Sequence, residues 1–338
     1  MRLKDLAQHL GLSQTTVSRA LNGYPEVNEK TRLRVAETAA RLGYRPNANA
    51  LRLATGRAGA IGMVLRGSSE FGPHTSEFLS GVGGRLAEEE IDIIVTTVQT
   101  YQEEVSAYRR LAASQKVDAI ILHSPTLHDQ RAKLLMELDI PFVLHGRTDI
   151  GAPHAWLDID NAGAMERATS HLLDLGHRRI ALLNGVTDRT FAVHRENGYR
   201  KALAARGIAY DPALQGNSVF SDEIAFRIAH DMLELTPAPT AFLAGSMMTA
   251  LGVFRAIRQA GLVLGKDVSM IAHDDVFPYL NADNMRPSMS TTRSSISLAG
   301  VRIAELILQI QAGKPAADIH EIWPVDLVLR ESTGPAPQ

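Results

Sequence analysis

The sequence predicts an α/β chain: a small helical head, then a larger body of two lobes, each built on a parallel, doubly wound sheet. Three observations predict it. Before Gly43, apolar residues recur at helical spacing in three short segments, each closed by a glycine. From Ala60 onward, short apolar runs alternate with longer amphipathic stretches, the pattern of strands joined by crossover helices. That pattern restarts after about residue 160, so one α/β unit follows another.

In the head, Leu3, Leu6, Ala7 and Leu10 fall at i, i+3, i+4 and i+7, one face of a helix. Gly11 ends it, since glycine tolerates the positive φ of a C′ position. Ser13 is placed to cap a second helix with Val17, Ala20 and Leu21 buried, closed by Asn22-Gly23. Two short helices across a glycine turn describe a helix-turn-helix. Asn28 is placed to cap a third helix, with Val35, Ala36, Ala39 and Leu42 on one face.

Charge separates head from body. The net charge of −2 argues against a nucleic-acid partner only while it is left whole. Residues 1–57 hold ten Lys/Arg and four Asp/Glu, a balance of +6; the remainder holds 25 against 33, a balance of −8. A basic head can approach a polyanion while an acidic body stays in solution. The second helix turns Gln14, Thr15, Thr16, Ser18 and Arg19 outward. Arg bonds guanine bidentately, Gln pairs with adenine, and Thr offers a methyl to thymine.

These residues carry a resemblance. Leu3-Lys4-Asp5-Leu6-Ala7, Gly11-Leu12-Ser13-Gln14-Thr15-Thr16-Val17-Ser18-Arg19-Ala20-Leu21-Asn22-Gly23 and Leu42-Gly43-Tyr44-Arg45-Pro46-Asn47 resemble the head of the LacI/GalR family of transcription regulators. The match is dense here and looser over nearly all the rest. It implies an N-terminal helix-turn-helix head with a hinge helix, then a two-lobed, periplasmic-binding-protein-like body. It implies that Gln14, Thr15 and Arg19 read bases, while Thr16, Ser18, Asn22, Asn28 and Tyr44 position phosphates; the capping Ser13 belongs to the same DNA-binding set.

Residues 46–59 carry the hinge expectation. Asn47 is placed to cap a helix of about two turns, too short to be stable alone. In the family, two hinge helices pack in the minor groove of a dimer's operator and a leucine wedges between base steps. Leu53 falls at that position, with the small Ala50 one turn earlier.

In the body, strands are expected at Ile61–Leu65, Ile91–Val95, Ala119–Leu122 and Pro141–Leu144, with helices at Ser76–Glu89, Glu103–Gln115 and Gln130–Leu138. The second lobe repeats this with strands at Arg179–Leu183, Thr240–Ala244 and Val268–Ala272. Its helices are expected at Asn161–Leu175, Arg195–Arg206 and Ala250–Ala260, and a last helix at Ser297–Ala312 follows Ser290-Thr291-Thr292. The expected divisions are 1–45 head, 46–59 hinge, 60–333 body and 334–338 flexible tail. In the body, lobe 1 takes about 60–157 and 291–317, and lobe 2 about 158–288 and 318–333. Three lobe crossings are placed near 157–160, 288–291 and 317–320.

Ligands bind such sheets at the strand ends, in the cleft between lobes. Vicinal sugar hydroxyls are matched by planar, multivalent side chains such as Asp, Asn and Arg, and aromatic faces stack on the sugar ring. The resemblance implies effector contacts from Arg195 and Asp274, an aromatic wall at Phe220, and a polar group at Ser246. Ser124, His145 and Arg147 are expected to line the other lobe. Met247 stands where the family often has Asp, a thioether in place of a carboxylate. The stretch His273–Leu280 is similar to that of α-glucoside-responsive regulators in the group.

Enzyme motifs are missing. Gly81-Val82-Gly83-Gly84-Arg85-Leu86 lacks the final glycine of a nucleotide loop and falls inside an expected helix. There is no Walker A run, GxSxG or HExxH. His273-Asp274-Asp275 has no second cluster at metal-binding spacing, so neither metal nor cofactor is expected. No cysteine exists to form a disulfide or a catalytic thiol. No membrane span or signal peptide is read, which gives a cytoplasmic expectation. The ending Gly334-Pro335-Ala336-Pro337-Gln338 cannot continue a heptad helix, so a homodimer rather than a tetramer is expected. The resulting expectation is a repressor on double-stranded operator DNA, controlled by a carbohydrate. The alternatives are an activator or corepressor-dependent repressor with a non-sugar effector and, more remotely, a sugar-binding protein or enzyme with an appended head.

Overall fold

Ser13 and Asn28 break the head into separate helices. The Ser13 hydroxyl accepts the Thr16 N–H at 3.0 Å and starts α2 (Gln14–Leu21); Asn28 accepts the Thr31 N–H at 2.8 Å and starts α3 (Glu29–Arg41). Each cap satisfies a backbone donor that the first helical turn leaves without a partner. The preceding helix, α1 (Leu3–Leu10), ends at Gly11 with φ 66°, as its glycine predicts. Leu6, Ala7, Leu10, Val17, Ala20, Val27, Val35 and Ala39 form the core of the head. Ala36, expected inside, is exposed, and Thr38 is buried instead. Thr38 follows Val35 by three residues and shares its face, whereas Ala36 is turned about 100° away.

The computed structural model describes residues 1–44, 56–67 and 72–338. The chain divides into two units, Met1–Ala58 and Gly59–Gln338. The hinge candidates Asn47, Ala50 and Leu53 lie outside the described residues.

The first lobe of the body runs β1 (Ala60–Arg66), α4 (Pro73–Ala87), β2 (Asp92–Val98), α5 (Tyr101–Ala113), β3 (Ala119–His123), α6 (Gln130–Glu137), β4 (Phe142–His145) and β5 (Ala155–Ile159). The second runs α7 (Asn161–Asp174), β6 (Ile180–Asn184), α8 (Thr190–Ala205), β7 (Gln215–Asn217), α9 (Asp222–Leu233), β8 (Ala241–Ala244), α10 (Met247–Gln259), β9 (Ser269–Asp274) and β10 (Ser290–Arg293). Then come α11 (Ile296–Gln311), β11 (His320–Trp323) and β12 (Asp326–Val328). The sheets are ordered β11-β5-β4-β3-β1-β2 and β12-β10-β9-β8-β6-β7. Every neighbouring pair is parallel except β10 with β12. Buried runs such as Ile61-Gly62-Met63-Val64-Leu65 are what a sheet covered on both faces requires.

The lobe crossings follow from these pairings. The first falls after β5, at the expected place. The second and third lie a few residues later than expected, at 293–296 and 323–326. The reason is that β10 pairs with β9 in the second sheet, while β11 pairs with β5 in the first. The stretch 334–338, expected as a flexible tail, is tied down through Ala336. Buried His177 contacts the Gly334 carbonyl through Nε2 at 3.1 Å, and Ala336 N–H donates to the Leu175 carbonyl at 2.8 Å.

Glycines set the closest helix contacts. A Cβ on Gly81 of α4 would stand 2.0 Å from the Ser297 carbonyl of α11. Gly198 of α8 meets the Ala162 carbonyl of α7, and Gly252 of α10 the Asp222 carbonyl of α9, equally closely. The Gly81-Val82-Gly83-Gly84 stretch therefore lies inside α4, with Gly81 as its helix-packing position. Among the described residues no helix is long and apolar enough to cross a membrane.

Candidate functional site

In the head, α2 presents Gln14, Thr15 and Arg19 fully at the surface, with Thr16 and Ser18 half-buried. Ser13 and Asn28 spend their side-chain oxygens on the caps, and the Thr16 hydroxyl lies 2.8 Å from that of Ser13. The Asn22 amide donates to the Ser18 carbonyl at 2.8 Å. Tyr44 packs on the head's core, and burial raises its phenol above the ordinary range. Gln14 and Arg19 are thus long and exposed and Thr15 short and exposed, while Ser13, Asn22 and Asn28 are held to the backbone at helix starts and ends.

In the body, the strand ends of both lobes face a cavity of about 420 Å³, within the size range of small-molecule pockets. Ser124, His145, Arg195, Phe220 and Ser246 line it. Arg195 projects from α8 and is buried; its Nε donates to Asn161 Oδ1 at 2.8 Å and its Nη1 to the Gly245 carbonyl at 2.7 Å. Its guanidinium lies 5.1 Å from the Phe191 ring centre. Burial lowers it to about 10, against the pull of Asp275 and Asp158, so it stays charged near neutrality. Ser246 caps α10 by accepting the Thr249 N–H at 3.1 Å.

Two expected residues do not line the cavity. Asp274 ends β9 and faces away: its Oδ1 accepts the Val276 N–H at 2.8 Å, and its Oδ2 lies 3.8 Å from Arg293 Nε. Asp275 lines the cavity in its place, because alternation along the chain puts His273 and Asp275 on one side and Asp274 on the other. Arg147 Nε donates to Asp158 Oδ2 at 2.7 Å, and its Nη2 donates to His194 Nδ1 at 3.2 Å. It reaches the cavity only through Asp158, which lines it. Met247 is fully buried in the second lobe's core, and its neighbour Met248 lines the cavity.

Asp275 is the centre of a charge cluster. Its Oδ1 lies 3.6 Å from His74 Nε2 and 3.5 Å from His273 Nε2. Burial opposes its charge, but His74, His273 and Arg195 outweigh that and hold its carboxyl at about 2. His273 is fixed by Thr292, with Nδ1 to Oγ1 at 3.0 Å. Burial lowers His74, His123, His145 and His273 below the ordinary imidazole range, which favours the neutral form of each near pH 7.

A direct contact joins the lobes at the cavity's edge. The Pro125 carbonyl accepts both the N–H and the hydroxyl of Thr190 at 3.0 Å, and Arg189 Nη1 donates to the Ser124 carbonyl at 2.7 Å. The sequence reading missed Thr190 and Arg189 because it started their helix at Arg195. It missed Asp158 and Asn161 as wall residues because β5, though mostly buried, is only five residues long and Asp158 interrupts its apolar run. A usable signal was their place: each sits at the C-terminal end of a strand or the first turn after it.

Comparison with known proteins agrees with this geometry. Residues 2–47 match the family of bacterial regulatory proteins, lacI family; residues 58–325 match the periplasmic binding proteins and sugar binding domain of the LacI family. The chain is 45% identical to the HTH-type transcriptional regulator AglR of Rhizobium meliloti, over 100% of this chain and 95% of the relative. It is 33% identical to the HTH-type transcriptional regulator RafR of Escherichia coli, over 96% of each. The lac repressor dimer bound to operator and the anti-inducer ONPF superposes with a TM-score of 0.84 at 26% identity, covering 99% of both chains. A CelR–cellobiose complex superposes at 0.73 and 29% identity, covering 98% of this chain and 99% of that one.

Proposed function

The chain belongs to the lacI family of bacterial regulatory proteins, and from that membership we propose a dimeric repressor released from a palindromic operator by a small carbohydrate, an α-glucoside or related disaccharide. The observation that carries this reading is the body cavity. Its lining brings together a clamped guanidinium, Arg195, a carboxylate, Asp275, and the aromatic rings of Phe191 and Phe220. Forked donors and paired acceptors fit vicinal hydroxyls, and aromatic faces fit the ring they are carried on. The cellobiose held by the CelR structure supports a disaccharide-sized neutral ligand. Residues 1–57, head and hinge together, carry +6, and α2 exposes Gln14, Thr15 and Arg19, which supports base reading by α2 in the major groove. The body acts as a sensor that binds its sugar and leaves it unchanged.

In this reading Ser124, His145, Arg195, Phe220, Ser246 and Asp275 contact the effector, and Arg147 and Asp274 support the walls. Effector favours one lobe arrangement over another and so shifts the head's operator affinity. A thermal-shift panel on the full chain tests the ligand class, because binding to the folded state stabilises it by mass action. Maltose, trehalose, cellobiose, glucose, purines and amino acids are the probes. A rise in melting temperature with a disaccharide is expected. A rise only with a purine or an amino acid would overturn the carbohydrate reading.

A further inference from the structure

β3 and β4 end on the same rung of their ladder, with His123 opposite His145. Both rings line the cavity. Their Nδ1 atoms lie 3.1 Å apart, and the rings stack at 5.0 Å and 24°. Phe78 of α4 stacks on His145 at 4.8 Å and 17°, which fixes the ring plane. Among the described residues neither Nε2 has a hydrogen-bond partner, and neither belongs to the buried side-chain atoms left without one.

A contact between two Nδ1 atoms holds one proton. In a neutral pair the donating ring carries its proton at Nδ1 and leaves its Nε2 as a bare lone pair. The accepting ring must carry its own proton at Nε2. The pair therefore offers one N–H donor and one nitrogen acceptor, never two of a kind. A sugar hydroxyl satisfies either, since each O–H both gives and takes. A carboxylate or phosphate satisfies only the donor and brings its oxygen against the lone pair.

We propose that His123 and His145 act as one donor–acceptor unit that reads two neighbouring hydroxyls of the effector and selects neutral carbohydrates over anionic ones. This rests on the carbohydrate reading above and adds the two residues that set ligand charge. The groups around the pair agree. His74 comes from α4, Arg131 from α6 and Arg189 from the residue just before α8, and each opposes a proton on the pair; Asp275, beyond β9, alone favours one at His145. The net surroundings keep both rings neutral at physiological pH.

Two measurements on the full chain test this. The first needs no ligand. In ¹⁵N-histidine-labelled protein, long-range ¹⁵N–¹H spectra, assigned with the His123→Phe and His145→Phe variants, report each ring's tautomer. Opposite tautomers are expected; two rings protonated at the same nitrogen would overturn the proposal. The second is calorimetric titration with maltose and with α-glucose 1-phosphate. Wild type is expected to prefer maltose at least tenfold. His145→Phe, which keeps the stacked ring, is expected to weaken maltose at least tenfold, and His145→Gln to recover part of that loss. Thermal unfolding checks that each variant folds. Maltose affinity within twofold of wild type in both Phe variants would overturn the pair while leaving the carbohydrate reading intact. Failure of wild type to bind any sugar in the thermal panel would remove both.

Discussion

Pro125 and Thr190 meet across the cleft: one carbonyl oxygen of the first lobe accepts both the N–H and the hydroxyl of the second, each at 3.0 Å. This contact exists only while the lobes stand together at that edge. A net hydrogen bond of this kind contributes roughly 0.5–1.5 kcal/mol. Thr190→Val, which deletes the hydroxyl and keeps the shape, is expected to weaken effector binding about threefold to tenfold by calorimetry. Thr190→Ser is expected to restore it. An unchanged affinity in the valine variant would show that the effector does not depend on this lobe arrangement.

Gly81 packs its α-carbon against the backbone of α11, whereas a Cβ on Gly84 of the same helix meets nothing within 4 Å. Gly81→Ala is therefore expected to destabilise the body by about 1–3 kcal/mol, the usual range for overpacking. Gly84→Ala is expected to be neutral or to stabilise by up to about 1 kcal/mol through lower chain entropy. Denaturant melts separate the two variants, with a loss of stability for Gly81→Ala and none for Gly84→Ala, if Gly81 serves helix packing. Equal effects would contradict that role.

Acid stability has a definite sign. Burial lowers His145 to about 3 and holds His123 well below its ordinary value of 6.5. Between pH 6.5 and about 3 the unfolded chain therefore binds more protons than the folded one, and stability falls as pH falls. Asp275, held at about 2, contributes stability above pH 3.8 that is lost only toward pH 2. The body's melting temperature is thus expected to decline already between pH 6.5 and 5, above the carboxylate range. His145→Phe is expected to flatten part of that slope. A flat melting temperature from pH 7 to 5 would show these rings to be protonated as readily in the folded chain as in the unfolded.

Arg19 is exposed on the surface of α2, near its C-terminal end. Arg19→Ala is expected to cost about 1–3 kcal/mol of operator binding and to relax discrimination at one base position per half-site. Arg19→Lys keeps the charge but loses the forked geometry, so it is expected to restore non-specific affinity more than specificity. Anisotropy titrations on operator and mutated-operator duplexes separate the two. Equal losses on every duplex would make Arg19 a phosphate contact.

The head was legible almost residue by residue, because caps and glycine stops are local chemistry: Ser13, Asn28 and Gly11 act within their own turns. The alternation of strands and helices was legible for the same reason, since buried parallel strands are continuous apolar runs. The edge strands β7, β11 and β12 were not, being short and only partly buried. Asp275 was missed in favour of Asp274 because a one-residue shift at a strand end exchanges cavity for outer face, and only the pleat decides it. His74, His123 and His145 come from three separate elements, and nothing along the chain says that they share one cavity. The tail at Gly334–Ala336 reads as a loose end by composition; buried His177, far away in sequence, is what holds it.

Carbohydrate induction is tested most directly by the operator affinity of the full chain with and without an α-glucoside, followed by fluorescence anisotropy at fixed salt. A disaccharide such as maltose is expected to weaken operator binding at least tenfold, and Asp275→Asn to abolish the response. Operator binding that is unchanged by every sugar that stabilises the protein, or that is strengthened by one, would contradict induction by a carbohydrate held in this cavity.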